Sequence, residues 1–180
     1  MLDRRLKVKI CMVGDSAVGK TSLIKKFVLD IFDDAYITTI GTKITKRPMK
    51  FMETTNEVSM DMMIWDIMGQ TSFRSLLQDA YFYGTHGVLA VVDSTRPETL
   101  ENIHEWVDSI RQVVGEVPMV FVANKSDLDA VVTMEMLDKE LDRYESKFLY
   151  CSAKTGDNVV EAFKFLGEGV IDKYFPEMRT

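Results

Sequence analysis

The sequence predicts an α/β fold: a six-stranded, mostly parallel sheet with one antiparallel edge strand and helices on both faces. Three observations carry this expectation. Short continuous apolar runs recur, clearest in "GVLAVVD" (Gly87 to Asp93) and "VPMVFVAN" (Val117 to Asn124), and such runs suit strands covered on both sides. Amphipathic helical patterns lie between the runs, the alternation expected of parallel βαβ units. Only residues 42–65 break the rhythm, with two strand-like segments that follow one another directly.

Taken in order, "LKVKICMVG" (Leu6 to Gly14) reads as the first strand, and a helix starts at Lys20. "TKITKRPMKF" is polar and contains Pro48, which cannot donate to a ladder and so belongs at an edge. "ETTNE" is the expected hairpin turn into "VSMDMMIW", which places Val58, Met60, Met62 and Ile64 on one face. After the Gly87 strand a helix opens at Pro97, a favourable first-turn residue, with Leu100, Ile103, Val107, Ile110 and Val114 on one side. A shorter helix follows Thr133, and "KFLYCSA" (Lys147 to Ala153) is the last strand. The final helix opens at Asn158 with Glu161 at capping-box spacing, and its pattern buries Val159, Phe163, Leu166, Val170 and Tyr174.

A chain of 180 residues suits one domain spanning 1–180, long enough for a sizeable core. The net charge of −6 argues against nucleic acid as a partner, because a phosphate backbone needs a basic footprint. The two cysteines, Cys11 and Cys151, lie in apolar runs and read as buried thiols of a reducing compartment. No apolar run approaches the ~18 residues of a membrane span, and the basic start lacks the features of a signal peptide. The second residue is Leu2 and the sequence ends "FPEMRT", so it carries neither a myristoylation site nor a cysteine for prenylation. The expected location is the cytoplasm, with membrane association only if a lipidated tail follows. His86 and His104 have no acidic or cysteine partner at metal-ligand spacing and are read as non-ligands. Of the many methionines, Met60, Met62, Met63, Met68, Met134 and Met136 are read mainly as core filling rather than as an adaptable surface.

The chemistry begins at "GDSAVGKT", a phosphate-loop pattern following a strand and opening a helix. Its residues Gly14, Asp15, Ser16, Ala17, Val18 and Gly19 would curl successive N–H groups round a phosphate. Lys20 would reach the β- and γ-oxygens, and the Thr21 hydroxyl would face Mg²⁺, with Ser22 beside it on the first helical turn. The helix start adds its positive dipole end. Kinases, ATPases and GTPases all share this loop, so other residues must choose the base. "NKSD" closes the Val117 strand. There Asp127 would accept from both N1–H and the 2-amino group of guanine, whereas adenine would leave the carboxylate desolvated and unpaired. Asn124 would steady the loop near N7, with Lys125 in the same motif. "SAK" closes the next strand: Ser152, then Ala153 with an N–H for guanine O6, then Lys154 along the base.

With "TIG" and "DIMGQ" these form five ordered motifs, and over essentially its whole length the chain resembles a Ras-superfamily small GTPase, most like the Rab family. "YITTIG", "IWDIMGQ", "FRSLL", "YFYGTHGVLAVVDST" and "NIHEW" carry the Rab-like character. The resemblance implies GTP or GDP and Mg²⁺ as cofactors in a P-loop NTPase fold. It implies Mg²⁺ ligation by Thr39, which directly precedes Ile-Gly, rather than Thr38. It puts Phe32 against the guanine ring, Tyr36 over the phosphates, and Asp66 on Mg²⁺ through a water. The Gly69 N–H would sense the γ-phosphate and Gln70 would orient the attacking water, so the implied catalytic set is Gln70, Lys20, Thr39 and Gly69. Effector proteins, a GTPase-activating protein and an exchange factor are the implied partners of a monomer. Phe73, Leu76, Tyr81 and Trp65 could form an effector surface, or Trp65 and Tyr81 could pack on the core.

The chain departs from the family pattern at Ile67-Met68, where Thr-Ala is usual, and at Thr71, where Glu is usual. Met68 is far bulkier than Ala beside the γ-phosphate, which bears on the hydrolysis rate rather than on binding. No Arg lies between Asp30 and Lys46, so that switch offers no internal arginine finger. The expected function is a GTP-hydrolysing molecular switch. The alternatives are a GTP-bound interaction module with little hydrolysis, or a metabolite kinase, which would need an arginine-rich lid and would give "NKSD" no role.

Overall fold

A computed structural model describes residues 5–33, 35, 38–52, 57–69, 79–144 and 146–178. In chain order the elements are β1 (Arg5–Val13), α1 (Lys20–Leu29), β2 (Thr42–Met52), β3 (Glu57–Ile67), β4 (Gly87–Asp93), α2 (Pro97–Glu101), α3 (Ile103–Val114), β5 (Met119–Asn124), α4 (Met134–Leu141), β6 (Lys147–Tyr150) and α5 (Val159–Tyr174). The six strands order as β2-β3-β1-β4-β5-β6, parallel except for the β2–β3 pair. Pro48 sits on edge strand β2 opposite Asp61, where its missing N–H breaks no inner ladder.

Alternation along the strands divides two cores. Val8, Ile10 and Met12 of β1, with Met60, Met62 and Ile64 of β3, face α1 and α5. Cys11 and Val13 face the other way, toward α2, α3 and α4. Phe27 of α1 and Phe163 of α5 stack with ring centroids 3.9 Å apart and so close the first core over the sheet. Both thiols are buried and free; burial pushes Cys11 up to about 11 and Cys151 up to about 12, which keeps them unreactive at neutral pH. Of the methionines singled out above, Met60, Met62 and Met68 are buried, Met63 and Met136 partly so, and Met134 is exposed. No helix among the described residues is long and apolar enough to cross a membrane.

Four local readings need correction. The helix opening at Pro97 is two helices divided at Asn102, whose side-chain amide donates to Asp15 Oδ2 at 2.8 Å. Asn158 is left-handed (φ 55°) and its amide donates to the Tyr150 carbonyl, so the capping box with Glu161 does not form. Tyr174 lies partly exposed, edge-on to His86, instead of in the core. His104 does have an acidic neighbour: Nε2 lies 3.0 Å from Glu140 Oε2, and Nδ1 2.5 Å from the Tyr144 hydroxyl. Each contact crosses between elements, beyond the reach of local pattern. Of the expected hairpin turn at 53–57, residues 53–56 lie outside the described residues and Glu57 opens β3.

Close packing makes one stability test specific. A Cβ on Gly167 of α5 would lie 2.3 Å from Phe51 Cζ and 2.8 Å from Met62 Cε. Gly167→Ala is therefore expected to lower unfolding free energy by about 1–3 kcal/mol, read from the urea midpoint.

Because β1, β3, β4, β5 and β6 run parallel, their carboxyl ends share one side of the sheet. The order reverses about β1, which has β3 and β4 as neighbours, and the crevice at such a switch point is where α/β sheets bind ligands.

Candidate nucleotide-binding site

A cleft of about 270 Å³ opens at those strand ends. Ser16, Ala17, Gly19, Lys20, Thr21 and Ser22 line one end, and Asn124, Lys125, Asp127, Ala153 and Lys154 the other. Phe32, Thr39, Met68 and Gly69 also reach it. The remaining described residues of the expected set, Gly14, Asp15, Val18, Asp66 and Ser152, do not themselves line the cleft.

The loop after β1 takes positive φ at Gly14 (137°), Ala17 (62°) and Gly19 (99°). A Cβ at Gly14 would lie 2.1 Å from the Val91 carbonyl oxygen, so only glycine passes there. Asp15 turns away from the cleft, accepting from Trp106 Nε1 at 3.0 Å and from Asn102. A Cβ on Gly69 would lie 2.5 Å from the Ser16 nitrogen, so this glycine backbone rests directly on the loop. Lys20 is buried, with its ammonium donating to the Gly14 carbonyl (2.6 Å) and the Asp15 carbonyl (2.8 Å). Burial brings its pKa down to about 8, against the opposing pull of Asp66 and Asp15. An anion in the cleft would supply the full charge that these carbonyls lack.

Three oxygen-bearing side chains converge beside Lys20. Thr21 Oγ1 donates to Asp66 Oδ2 at 2.5 Å and lies 2.9 Å from Thr39 Oγ1. Asp66 Oδ1 is buried without a hydrogen-bond partner among the described residues, and burial raises the carboxyl's pKa. Two hydroxyls and an unsatisfied buried carboxylate oxygen fit a hard, oxygen-seeking divalent cation. The hydroxyl near Thr21 belongs to Thr39; Thr38 also lines the cleft.

At the other end, Asp127 is exposed in the cleft and its Oδ1 accepts from the Ser152 hydroxyl at 2.6 Å. Asn124 is a strut: Nδ2 donates to the Val18 carbonyl (2.9 Å), and Oδ1 accepts the Ala153 N–H (3.1 Å). The Ala153 N–H expected at guanine O6 thus bonds Asn124 in this structure. Lys125 places its ammonium 2.6 Å from Asp93 Oδ2. Phe32 both lines the cleft and packs against the first core. Trp65 and Tyr81 pack partly buried on the second core, with the Lys9 ammonium 3.8 Å from the Trp65 ring centroid. Tyr36, Gln70, Thr71, Phe73 and Leu76 lie outside the described residues.

Sequence reasoning passed over Lys25, Asp33, Ala35 and Leu128, all of which reach the cleft. Lys25 follows Thr21 by four positions on α1, so helical periodicity alone could have found it. Leu128 directly follows Asp127 and carries no comparable signal.

The family model for the Ras family matches residues 9–172. This chain belongs to the Ras family. The Ras-related protein RabC of Dictyostelium discoideum is 31% identical over 172 residues, covering 94% of this chain and 86% of that protein. GTP-binding protein YPTM2 of Zea mays is 34% identical over 168 residues, covering 92% and 80%. Ras-related protein Rab-13 of Bos taurus shows the same identity and coverage. The chain is a Ras-superfamily small GTPase of Rab-like character, and its sheet, with one antiparallel pair, has the P-loop NTPase fold.

Proposed function

We propose that this Ras-family chain, one G domain over 1–180, binds GTP and GDP with Mg²⁺, hydrolyses GTP slowly, and acts as a monomeric switch. The observation that carries the reading is the joining of both ends of one cleft: Asn124 ties the phosphate loop at Val18 to Ala153 beside Asp127. The names of the relatives, one of them a GTP-binding protein, support the choice of nucleotide.

Lys20 would neutralise β- and γ-oxygens from its buried position, and the loop's N–H groups would hold them in place. Thr21, Thr39 and, through a water, Asp66 would hold a Mg²⁺, which would supply further neutralisation of the phosphate charge. The Gly69 N–H would meet the γ-phosphate, and Gln70 would orient the attacking water. In a loose transition state this positioning, more than proton abstraction, lowers the barrier. Loss of the γ-phosphate would release Thr39 and Gly69, and effectors that bind only the ordered loops would read the difference. An activating protein would supply the missing arginine charge, and an exchange factor would release GDP. Attachment to a membrane would require a lipidated tail.

Met68 favours a second reading, because it is buried at the cleft where a smaller residue would leave room. In that reading the chain binds GTP and presents it to partners with little hydrolysis. Nucleotide released by denaturing the purified protein should be guanosine phosphate by chromatography; adenosine phosphate would refute the assignment. Single-turnover hydrolysis should then run on the order of 10⁻⁴–10⁻³ s⁻¹ without an activator. Exchange without phosphate release would favour the interaction module, and turnover near 1 s⁻¹ would contradict the dependence on an outside arginine inferred from the lack of any Arg between Asp30 and Lys46.

A further inference from the structure

A phosphate loop works through peptide N–H groups, so what matters is which way each peptide plane faces. In a trans peptide the C=O and the following N–H point in opposite directions. A donor that grips a loop carbonyl from outside therefore turns the next N–H inward. Asn124 does this at Val18, whose carbonyl accepts its amide at 2.9 Å. A second external donor acts on the same loop two residues earlier. Arg96 Nη2 donates to the Ser16 carbonyl at 3.0 Å, and the next N–H belongs to Ala17, which lines the cleft in a left-handed conformation.

The arginine is itself anchored. Its Nε donates to Asp93 Oδ2 at 3.0 Å, and Asp93, at the carboxyl end of β4, is buried. The same Oδ2 lies 2.6 Å from the Lys125 ammonium, while Oδ1 accepts from the Thr95 N–H (2.9 Å) and hydroxyl (2.7 Å). One buried carboxylate thus holds both the arginine on the phosphate loop and a lysine of the base-reading loop. The guanidinium also bears on the Lys20 ammonium, helping to depress its pKa, so its charge reaches the phosphate end.

We propose that Arg96, braced on Asp93, is a positioning residue of the phosphate site: it holds the Ser16 carbonyl so that the Ala17 N–H faces the β-phosphate. The inference rests on the nucleotide-binding reading above. Arginine suits the role because its planar fork offers Nε to one acceptor and Nη2 to another in fixed geometry; a lysine has one ammonium and cannot reproduce both.

The test compares ligands that differ only in phosphate number. The full chain, stripped of nucleotide, is titrated calorimetrically with GMP and with GDP. Arg96→Ala should weaken GDP about tenfold, the size of one hydrogen bond from a charged donor, and GMP by less than about twofold, since GMP lacks the β-phosphate. Release of a fluorescent GDP analogue should accelerate in proportion. Equal losses for GMP and GDP would indicate general loosening of the site and overturn the proposal, as would no loss with either. Should Arg96→Ala fail to fold, Arg96→Lys carries the same comparison with the charge retained. A loss confined to GDP supports the bridging role, and unchanged affinities overturn it. Wild-type protein that binds neither ligand would instead refute the nucleotide assignment itself.

Discussion

Asp127→Asn is expected to lower affinity for GDP and GTP by roughly 10²–10³-fold, the largest change in base choice that one substitution can make here. The carboxylate sits exposed in the cleft, with Oδ1 already accepting from Ser152 and Oδ2 without a protein partner among the described residues. Guanine offers two donors on one edge, and an ionised carboxylate accepts both; charge-assisted bonds of this kind are about twice as strong as neutral ones. An asparagine presents its own N–H donors there, which oppose the guanine edge and suit a base with a carbonyl at C2. Xanthosine diphosphate should accordingly bind the variant better than GDP does. Competition titrations with GDP, xanthosine diphosphate and ADP provide the check. Unaltered selectivity between guanine and adenine nucleotides would remove Asp127 from the base site.

Lys20→Ala should be comparably severe, costing about 3–5 kcal/mol of GTP affinity, because the phosphate charge would be left without its buried partner. The wild-type lysine also makes binding depend on pH, with a definite sign. In the unliganded protein burial holds its pKa down at about 8, below the ordinary lysine range. A polyphosphate beside the ammonium favours the charged form, so the pKa rises on binding. Below pH 8 the lysine is protonated in both states and affinity is insensitive to its titration. Above pH 8 the free protein loses the proton while the complex keeps it. Affinity should then fall by up to about tenfold per pH unit until the pKa of the complex is reached. Calorimetry at pH 8.5 in two buffers of different ionisation enthalpy should show net proton uptake, and Lys20→Ala should abolish it. Proton release, or no buffer dependence in the wild type, would contradict a depressed pKa at this lysine.

Much of this molecule was legible in one dimension. Alternation in "VSMDMMIW" marks the buried face of β3, Pro48 marks the edge strand, and the apolar runs of β4 and β5 mark strands buried on both sides. The phosphate loop, the Asp127 loop and the Ala153 loop were legible too, because each is a short motif at the carboxyl end of a strand, and parallel strands must bring those ends together. Side-chain period, turn chemistry and motif spacing are properties of neighbouring residues, and so the sequence by itself determined the strands, their buried faces and the chemical character of the cleft.

Tertiary structure alone decided how the loops are held. The division of the Pro97 helix at Asn102, the Asn102 and Trp106 bonds to Asp15, and the Arg96 bond to Ser16 join residues 80 to 91 positions apart. The same holds where Asn158 leaves its expected cap for the Tyr150 carbonyl, and where the Ala153 N–H meets Asn124. These bonds depend on strand register and on the few ångströms by which one loop approaches another. Periodicity records which face of an element is buried, but carries no record of the distance between two polar groups brought together only when the sheet has formed.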